Sequence, residues 1–238
     1  MSRREKLLQW MRPWLERCGI DTLSWPALHS LDRKLASLLP YRDGWFVEAG
    51  AHDGFQQSNT YHLARFQGWR GVLVEPVPHL AEECRRNRPE SQVYTCVLGP
   101  PELTNSQVSL RYAGLMTGVC GSLGDDAMEM ARAEQGLKIQ GLSGSASTTF
   151  DAPVRTLTEL LNESHTPARF DLLSLDVEGY EFAVLKGWDL EHHRAAFVCI
   201  EARRQNLEQV IQLLSPAYEL IEVLHESSEH GDYLFRLR

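Results

Sequence analysis

From residue 44 onward, short apolar runs alternate with segments of helical periodicity. That alternation restricts the chain to a mostly parallel sheet with helices on both faces. Parallel neighbours cannot be joined by a tight hairpin, and the stretches between these runs are long enough to hold crossover helices. The runs WFVEAG (45–50), GVLVE (71–75), QVYTCVL (92–98), FDLLSLD (170–176) and AAFVCIEA (195–202) read as five strands. YELIEVLHE and DYLFRLR follow, joined by a short loop holding Gly231, and read as a closing antiparallel hairpin. The expected core is therefore a seven-stranded α/β sheet.

The helices between the strands carry their own punctuation. A helix over 60–66 has Ser58 or Asn59 as N-cap and Gly68 just past its end. Pro78 suits the first position of a helix running to Asn87. The basic cluster Arg85, Arg86 and Arg88 reads as the solvated end of that helix, where cations complement the dipole. Thr156 and Glu159 form a capping box for a short helix ending near Asn162. Further helices span the stretch ending at Leu185, before Gly187, and residues 207–214.

Two regions fall outside this rhythm. Residues 1–40 read as a helical cap, with Leu7, Met11, Trp14, Leu15 and Cys18 at helical spacing and Pro13 kinking or restarting the helix. Its polar face mixes acids and bases, which favours packing on the main domain over lying on a membrane or acting as a lid. Residues 100–150 read as an irregular insertion in which SQVSLRYAG could be a strand, rich in Gly and Ser towards GLSGSASTTF and serving as a substrate lid or a disordered loop. At 238 residues the whole chain is expected to form one domain. No run approaches the about 20 apolar residues of a membrane span. Arg12, Glu16 and Arg17 interrupt the N-terminal apolar run too early for a signal peptide, so a cytoplasmic location is expected. Five scattered cysteines without a C-x-x-C pair carry no zinc or redox signature and are expected to be buried thiols. A net charge of −8 argues against a general nucleic-acid partner.

In open parallel sheets ligands bind beyond the carboxyl ends of the strands. Glu48 and Gly50 close the first strand, Glu75 the second, Asp176 and then Glu178 follow the run at 170–176, and Glu201 lies near the end of the next. Gly50 and Gly54 are expected to clear room for a ligand against the backbone. Glu75, 21 residues after Gly54, is placed to accept hydrogen bonds from both ribose hydroxyls of an adenosine. G-x-G-x-x-G is absent, and Glu48 leaves a negative charge beside the loop, which disfavours pyrophosphate and favours an ammonium group. S-adenosylmethionine, an adenosine with a cationic amino-acid tail, fits both features.

The segments FVEAGAHDG, SNTYHL, GWRGVLVEPVPHL, CVLG, TLTELL and LLSLDVEGYEFAVLKG together resemble the FkbM-type methyltransferases over about Phe46 to Trp188. The resemblance implies the class I, Rossmann-like methyltransferase fold, S-adenosylmethionine as cofactor, and methylation of hydroxyl oxygens on sugars or secondary metabolites. By position it implies that Glu48, Gly50, Ala51 and Gly54 line the methionine end of the cofactor. Ser58 or Asn59 would bind its carboxylate at a helix start, Glu75 its ribose, and Leu98 would pack near the adenine. Asp176 would lie close to the transferred methyl.

An alcohol is a poor nucleophile until its proton begins to leave, so a carboxylate general base is required. Asp176 and Glu178 are the leading candidates, with Glu201 third. The competing reading places Glu178 and Glu181 in a first helical turn, offsetting the dipole. The same carboxylates with His52 could hold a divalent metal, although no metal ligand set is assigned. His192 and His193 read as a surface turn, and Trp45, Trp69 and Trp188 as packing residues. The leading expectation is an O-methyltransferase acting on a small-molecule or glycan acceptor, and nothing in the sequence bars a homo-oligomer. A nicotinamide-dependent oxidoreductase and a non-catalytic cofactor-binding scaffold are the alternatives.

Overall fold

The computed structural model describes residues 3–142 and 148–238. In chain order the elements are α1 (Arg3–Arg17), α2 (Leu31–Leu38), β1 (Trp45–Ala49), α3 (Tyr61–Gln67), β2 (Arg70–Val74), α4 (Pro78–Asn87), β3 (Gln92–Tyr94) and β4 (Val97–Leu98). Then come β5 (Gln107–Arg111), β6 (Gly118–Val119), α5 (Asp126–Ile139), β7 (Thr149–Arg155) and α6 (Leu157–Glu163). The chain closes with β8 (Arg169–Leu175), α7 (Glu181–Lys186), β9 (Arg194–Arg203), α8 (Arg204–Leu214), β10 (Tyr218–Glu226) and β11 (His230–Leu237).

Seven strands form one sheet in the order β3-β2-β1-β8-β9-β11-β10. Only β11 runs against the rest, lying antiparallel between β9 and β10. The expected seven-stranded sheet with a terminal hairpin is thus present, and strand order reverses between β1 and β8. Alternating side chains bury both faces. Val47, Ala49, Val72, Leu173, Leu175, Val198 and Ile200 pack under α6, α7 and α8. Phe46, Leu73, Leu172, Cys199 and Leu234 pack under α2, α3 and α4. Each fully buried Leu here contributes about 1.5–3 kcal/mol relative to exposure. Two-sided burial explains why these strands read as continuous apolar runs.

The helical punctuation mostly appears as expected. Thr156 and Glu159 make both capping-box bonds, Pro78 opens α4, and Gly68 ends α3 in the left-handed region at φ 73°. The N-cap of α3 is Thr60, one or two residues later than expected, and the Ser58 and Thr60 hydroxyls and the Asn59 amide are turned onto Glu48. In the N-terminal cap, α1 runs unbroken through the exposed Pro13, where solvent can take up the missing hydrogen bond. α2 buries Leu31 and Leu35 beneath the sheet. Cys18 is exposed, whereas Cys84, Cys96 and Cys199 are buried. Trp69 and Trp188 are buried packing residues, and of the two histidines expected in a surface turn, His193 is buried and His192 exposed.

Residues 92–98 do not form one strand. β3 follows β2 to its end at Val74, and the chain then leaves the sheet edge so that β4 pairs with β7. A second sheet results, of order β4-β7-β5-β6. The strand read at SQVSLRYAG is present as β5, and the rest of the stretch expected to be irregular holds β6 and the fourteen-residue α5, whose N-cap Asp125 accepts hydrogen bonds from the Ala127 and Met128 amides. The Ser- and Gly-rich segment 143–147 lies outside the described residues. Among the described residues, no helix is long and apolar enough to cross a membrane.

Candidate active site

The carboxyl ends of β1, β2, β4 and β8 open into one cleft of about 870 Å³, roofed by residues 114–119 of the insertion. At its floor the chain turns sharply. The amides of Gly50 and Ala51 both donate to the Val74 carbonyl, and the Asp176 amide donates to the Ala49 carbonyl. A Cβ at Gly50 would sit 1.8 Å from the Asp176 carbonyl oxygen, and its φ is 84°. A Cβ at Gly54 would lie 2.9 Å from Cys84 Sγ and from Arg88 Cγ. Both glycines therefore permit chain to approach chain. Gly50 still lines the cleft; Gly54 and Ala51 do not, being packed behind it.

Behind this turn lies a buried polar network. Glu48 accepts hydrogen bonds from Ser58 Oγ (2.8 Å), the Asn59 amide (2.7 Å) and Thr60 Oγ1 (2.6 Å). Arg88, 1% exposed at its side chain, lies 3.9 Å from Glu48 and donates to the Gly54 carbonyl, Ser58 Oγ and Thr60 Oγ1. Glu48 lines the cleft, where its charge was expected to face a ligand ammonium, and on its buried side it stands beside Arg88. The helix start expected to receive a ligand carboxylate gives its amide and hydroxyls to Glu48. Ser58 is buried outside the cleft, while Asn59 lines it. Asn59 Nδ2 donates to Ser174 Oγ, and its Oδ1 is buried without a partner among the described residues, which leaves an acceptor for an ammonium group. Arg88 was hidden in a cluster that reads as solvated. It continues the buried stripe of Ala81 and Cys84 at helical spacing, a signal that separates it from the exposed Arg85 and Arg86.

Glu75 stands at the side of the cleft. Its Oε2 accepts from the His52 amide (2.8 Å) and its Oε1 from the Val77 amide (2.9 Å). Each oxygen keeps a lone pair, so the group is held rigid with acceptor capacity remaining. Burial pushes its carboxyl above the usual range. Leu98, buried, lines the same side.

Four acids gather around the turn after β8. Burial and the charges of Glu201 and Glu178 push the Asp176 carboxyl well above its ordinary value. No cation is hydrogen-bonded to it among the described residues. Glu178 adopts φ 59°, a left-handed conformation unusual for a non-glycine residue. Its Oε2 accepts from Arg132 Nη2 of α5. Burial raises its carboxyl against the pull of Arg132 and Arg203. Glu181 acts locally, since its Oε1 accepts from the amides of Val177 (3.2 Å) and Gly179 (2.9 Å) and so staples the turn. Glu201 stands outside the cleft on β9, opposite Asp232 in register and 3.8 Å from His230 Nε2. Burial and the charge of Glu178 raise it to about 8. Asp176 and Glu178 thus reach the cleft and Glu201 does not. Despite this clustering, no group of three or more His, Cys, Asp or Glu residues is arranged to hold a metal among the described residues. Arg132 and the roof residues Leu115, Thr117 and Val119 come from the insertion, where no motif announced them.

The strand order, the turn after β1 and the rigid carboxylate after β2 define a Rossmann-like domain built for an adenosine cofactor. Residues 48–234 match the methyltransferase FkbM domain, and the chain belongs to that family. It is an S-adenosylmethionine-dependent methyltransferase of the class I fold. Among solved structures it is similar to a TehB-like SAM-dependent methyltransferase from Corynebacterium glutamicum, at 14% identity and TM-score 0.45, covering 98% of this chain and 97% of that one. It is also similar to the methyltransferase FkbM from Methylobacillus flagellatus, at 15% identity and TM-score 0.48, over 82% of this chain and 43% of that longer chain. A precorrin-6y C5,15-methyltransferase from Geobacter metallireducens aligns at 10% identity and TM-score 0.47, covering 92% and 97%. No curated protein sequence matches the chain.

Proposed function

We propose that the protein methylates a hydroxyl oxygen of a carbohydrate or glycosylated metabolite, with Asp176 as general base. The observation that supports this most directly is the contrast between two neighbouring acids. Glu178 is held by the Arg132 guanidinium, which stabilises its ionised form and weakens it as a base. Asp176 lacks such a partner among the described residues and is pushed well above the ordinary carboxylate range, so it holds a proton more readily.

When bound, S-adenosylmethionine supplies an electrophilic methyl on a sulfonium. Asn59 Oδ1 would accept from the ammonium of its amino-acid tail, Glu75 would accept from its ribose hydroxyls, and Leu98 would pack on its adenine. The Glu48–Arg88 network fixes the Gly50–Gly54 turn beneath that tail. Asp176 orients the acceptor hydroxyl and takes its proton, while the roof over the cleft excludes water. We read the chain as one domain in which residues 100–150 shape the acceptor side and residues 1–40 brace the loop after β1. Arg12 of the cap stacks 3.4 Å from the Phe55 ring centroid, beside the cleft-lining Gln56 and Gln57.

The test is formation of S-adenosylhomocysteine during incubation with a panel of sugars, amines and thiols. Turnover with a hydroxyl acceptor, lowered about 10²- to 10⁴-fold in Asp176→Asn with cofactor affinity retained, is expected. Methylation confined to amines or thiols, or an Asp176→Asn variant at wild-type rate, overturns the reading.

A further inference from the structure

A smaller chamber of about 280 Å³ adjoins the cleft and shares with it Gly118, Val119 and Glu178. Its other walls come from the insertion and include Ser122, Leu123 and Arg132. Glu178 therefore stands between the two spaces, and the left-handed backbone at residue 178 holds it there.

Arginines and acids crowd this boundary. Arg132 donates to Glu178, and the charge of Arg203 acts on the same carboxylate. The two guanidiniums are close enough to oppose each other, which together with burial lowers Arg203. Arg203 Nη2 is buried and has no acceptor among the described residues. Neighbouring acids are otherwise engaged: Glu129 accepts from the Leu123 amide, Glu181 from Val177 and Gly179, and Glu201 faces His230. Burial also makes Glu181 and Glu201 hold their protons to higher pH than ordinary carboxyls. Glu229 lies near Arg203 from the β10–β11 loop, and its backbone carbonyl accepts from the Arg204 amide. Arg132 thus pairs with Glu178 at the pocket wall, and Arg203 stands behind the wall with a buried N–H left over. Guanidinium forks match oxyanions in two-point geometry.

We propose that this chamber is an oxyanion subsite of the acceptor, in which Arg132, with Arg203 behind it, takes a carboxylate, sulfate or phosphate group in place of Glu178. The inference rests on the reading of the larger cleft as the transfer site. It narrows the acceptor to a hydroxylated compound with an anionic group close to the methylated oxygen. Glu178 then acts as an internal competitor: it neutralises Arg132 until an acceptor of the right charge displaces it. Neutral acceptors would have to leave that ion pair intact and forgo its hydrogen bonds.

The experiment is calorimetric and needs no known acceptor. Wild type, Arg132→Gln and Glu178→Gln are each titrated with S-adenosylhomocysteine. The loaded proteins are then titrated with sulfate, phosphate and acetate, with chloride holding ionic strength constant. All three proteins are expected to bind S-adenosylhomocysteine, which also shows that the variants fold. At least one oxyanion should bind the wild type saturably, about tenfold or more weakly in Arg132→Gln, and about tenfold more tightly in Glu178→Gln, where the competitor is gone. The tightest of the three identifies the anionic group. Oxyanion binding that is undetected in both wild type and Glu178→Gln, or indifferent to either substitution, overturns the subsite and leaves the cleft reading standing. Failure of the wild type to bind S-adenosylhomocysteine overturns the cleft reading, and the subsite with it.

Discussion

Replacing Arg88 by Met tests the network under the β1 turn. Met fills a similar slot among Phe46, Tyr61 and Cys84 but removes the charge and the donors. Glu48, 4% exposed, would keep its hydrogen bonds from Ser58, Asn59 and Thr60 and lose its neighbouring cation. The Gly54 carbonyl and the hydroxyls of Ser58 and Thr60 would each lose a donor as well. Breaking one partner of a buried ion pair costs about 3–5 kcal/mol. With about 2.1 cal/mol/K of unfolding entropy per residue, 4 kcal/mol lowers Tm by about 8 °C in a chain of 238 residues. The loss should be reversible from the other side. Glu48→Gln in the Arg88→Met background neutralises the stranded charge while keeping its acceptor oxygen, and should recover about half of the loss or more. Circular dichroism melts and urea titrations of the wild type, both single variants and the double variant close the cycle. An Arg88→Met variant within about 1 kcal/mol of wild type would refute the argument, as would a double variant no more stable than that single one.

Other perturbations separate the remaining assignments. Gly50→Ala should cost more than about 3 kcal/mol in urea titration, since its Cβ meets a carbonyl at 1.8 Å. Gly121→Ala, with a similar φ but open space around it, should cost only about 1–2 kcal/mol; equal losses at both sites would remove the close-approach explanation. Glu75→Gln should weaken S-adenosylmethionine binding about tenfold in calorimetry, and unchanged affinity would detach Glu75 from the ribose. Glu201 links stability to pH with an inverted sign for a carboxyl. Below its ordinary value of 4.5 both folded and unfolded states are protonated; between 4.5 and about 8 only the unfolded chain has released the proton, so folding weakens as pH rises; above about 8 the full penalty stands. Glu201→Gln should therefore raise Tm at pH 9 and leave it unchanged at pH 4, and a gain confined to the acid side would contradict the assignment.

Much of the fold was legible because it depends on short-range patterns. The strands of the large sheet announce themselves as apolar runs that both faces must bury, and Thr156, Pro78 and Gly68 mark helix ends through bonds made within a turn. The acids at strand ends were legible for the same reason: where a parallel strand stops is where its ligand crevice begins. The break between β3 and β4 was not legible, because QVYTCVL holds no glycine, proline or other turn residue and only the distant β7 draws its second half away. α5 carries almost no apolar stripe, its contacts being a small cluster around Ala113 and Ala133, so no periodicity marked it.

The sequence by itself determined the parallel sheet, the family and the acids that edge the cleft. Only the tertiary structure decided which of those acids stand beside a cation. Asp176 and Glu178 are equivalent as letters two positions apart; an arginine 46 residues from Glu178 in sequence makes one a paired anion, while the other is surrounded by fellow acids. Glu48 and Glu75 both end strands, yet Arg88 offsets one and two backbone amides hold the other with lone pairs to spare. Charge in a protein interior is set by what surrounds it, and those surroundings are assembled from residues far apart in the chain.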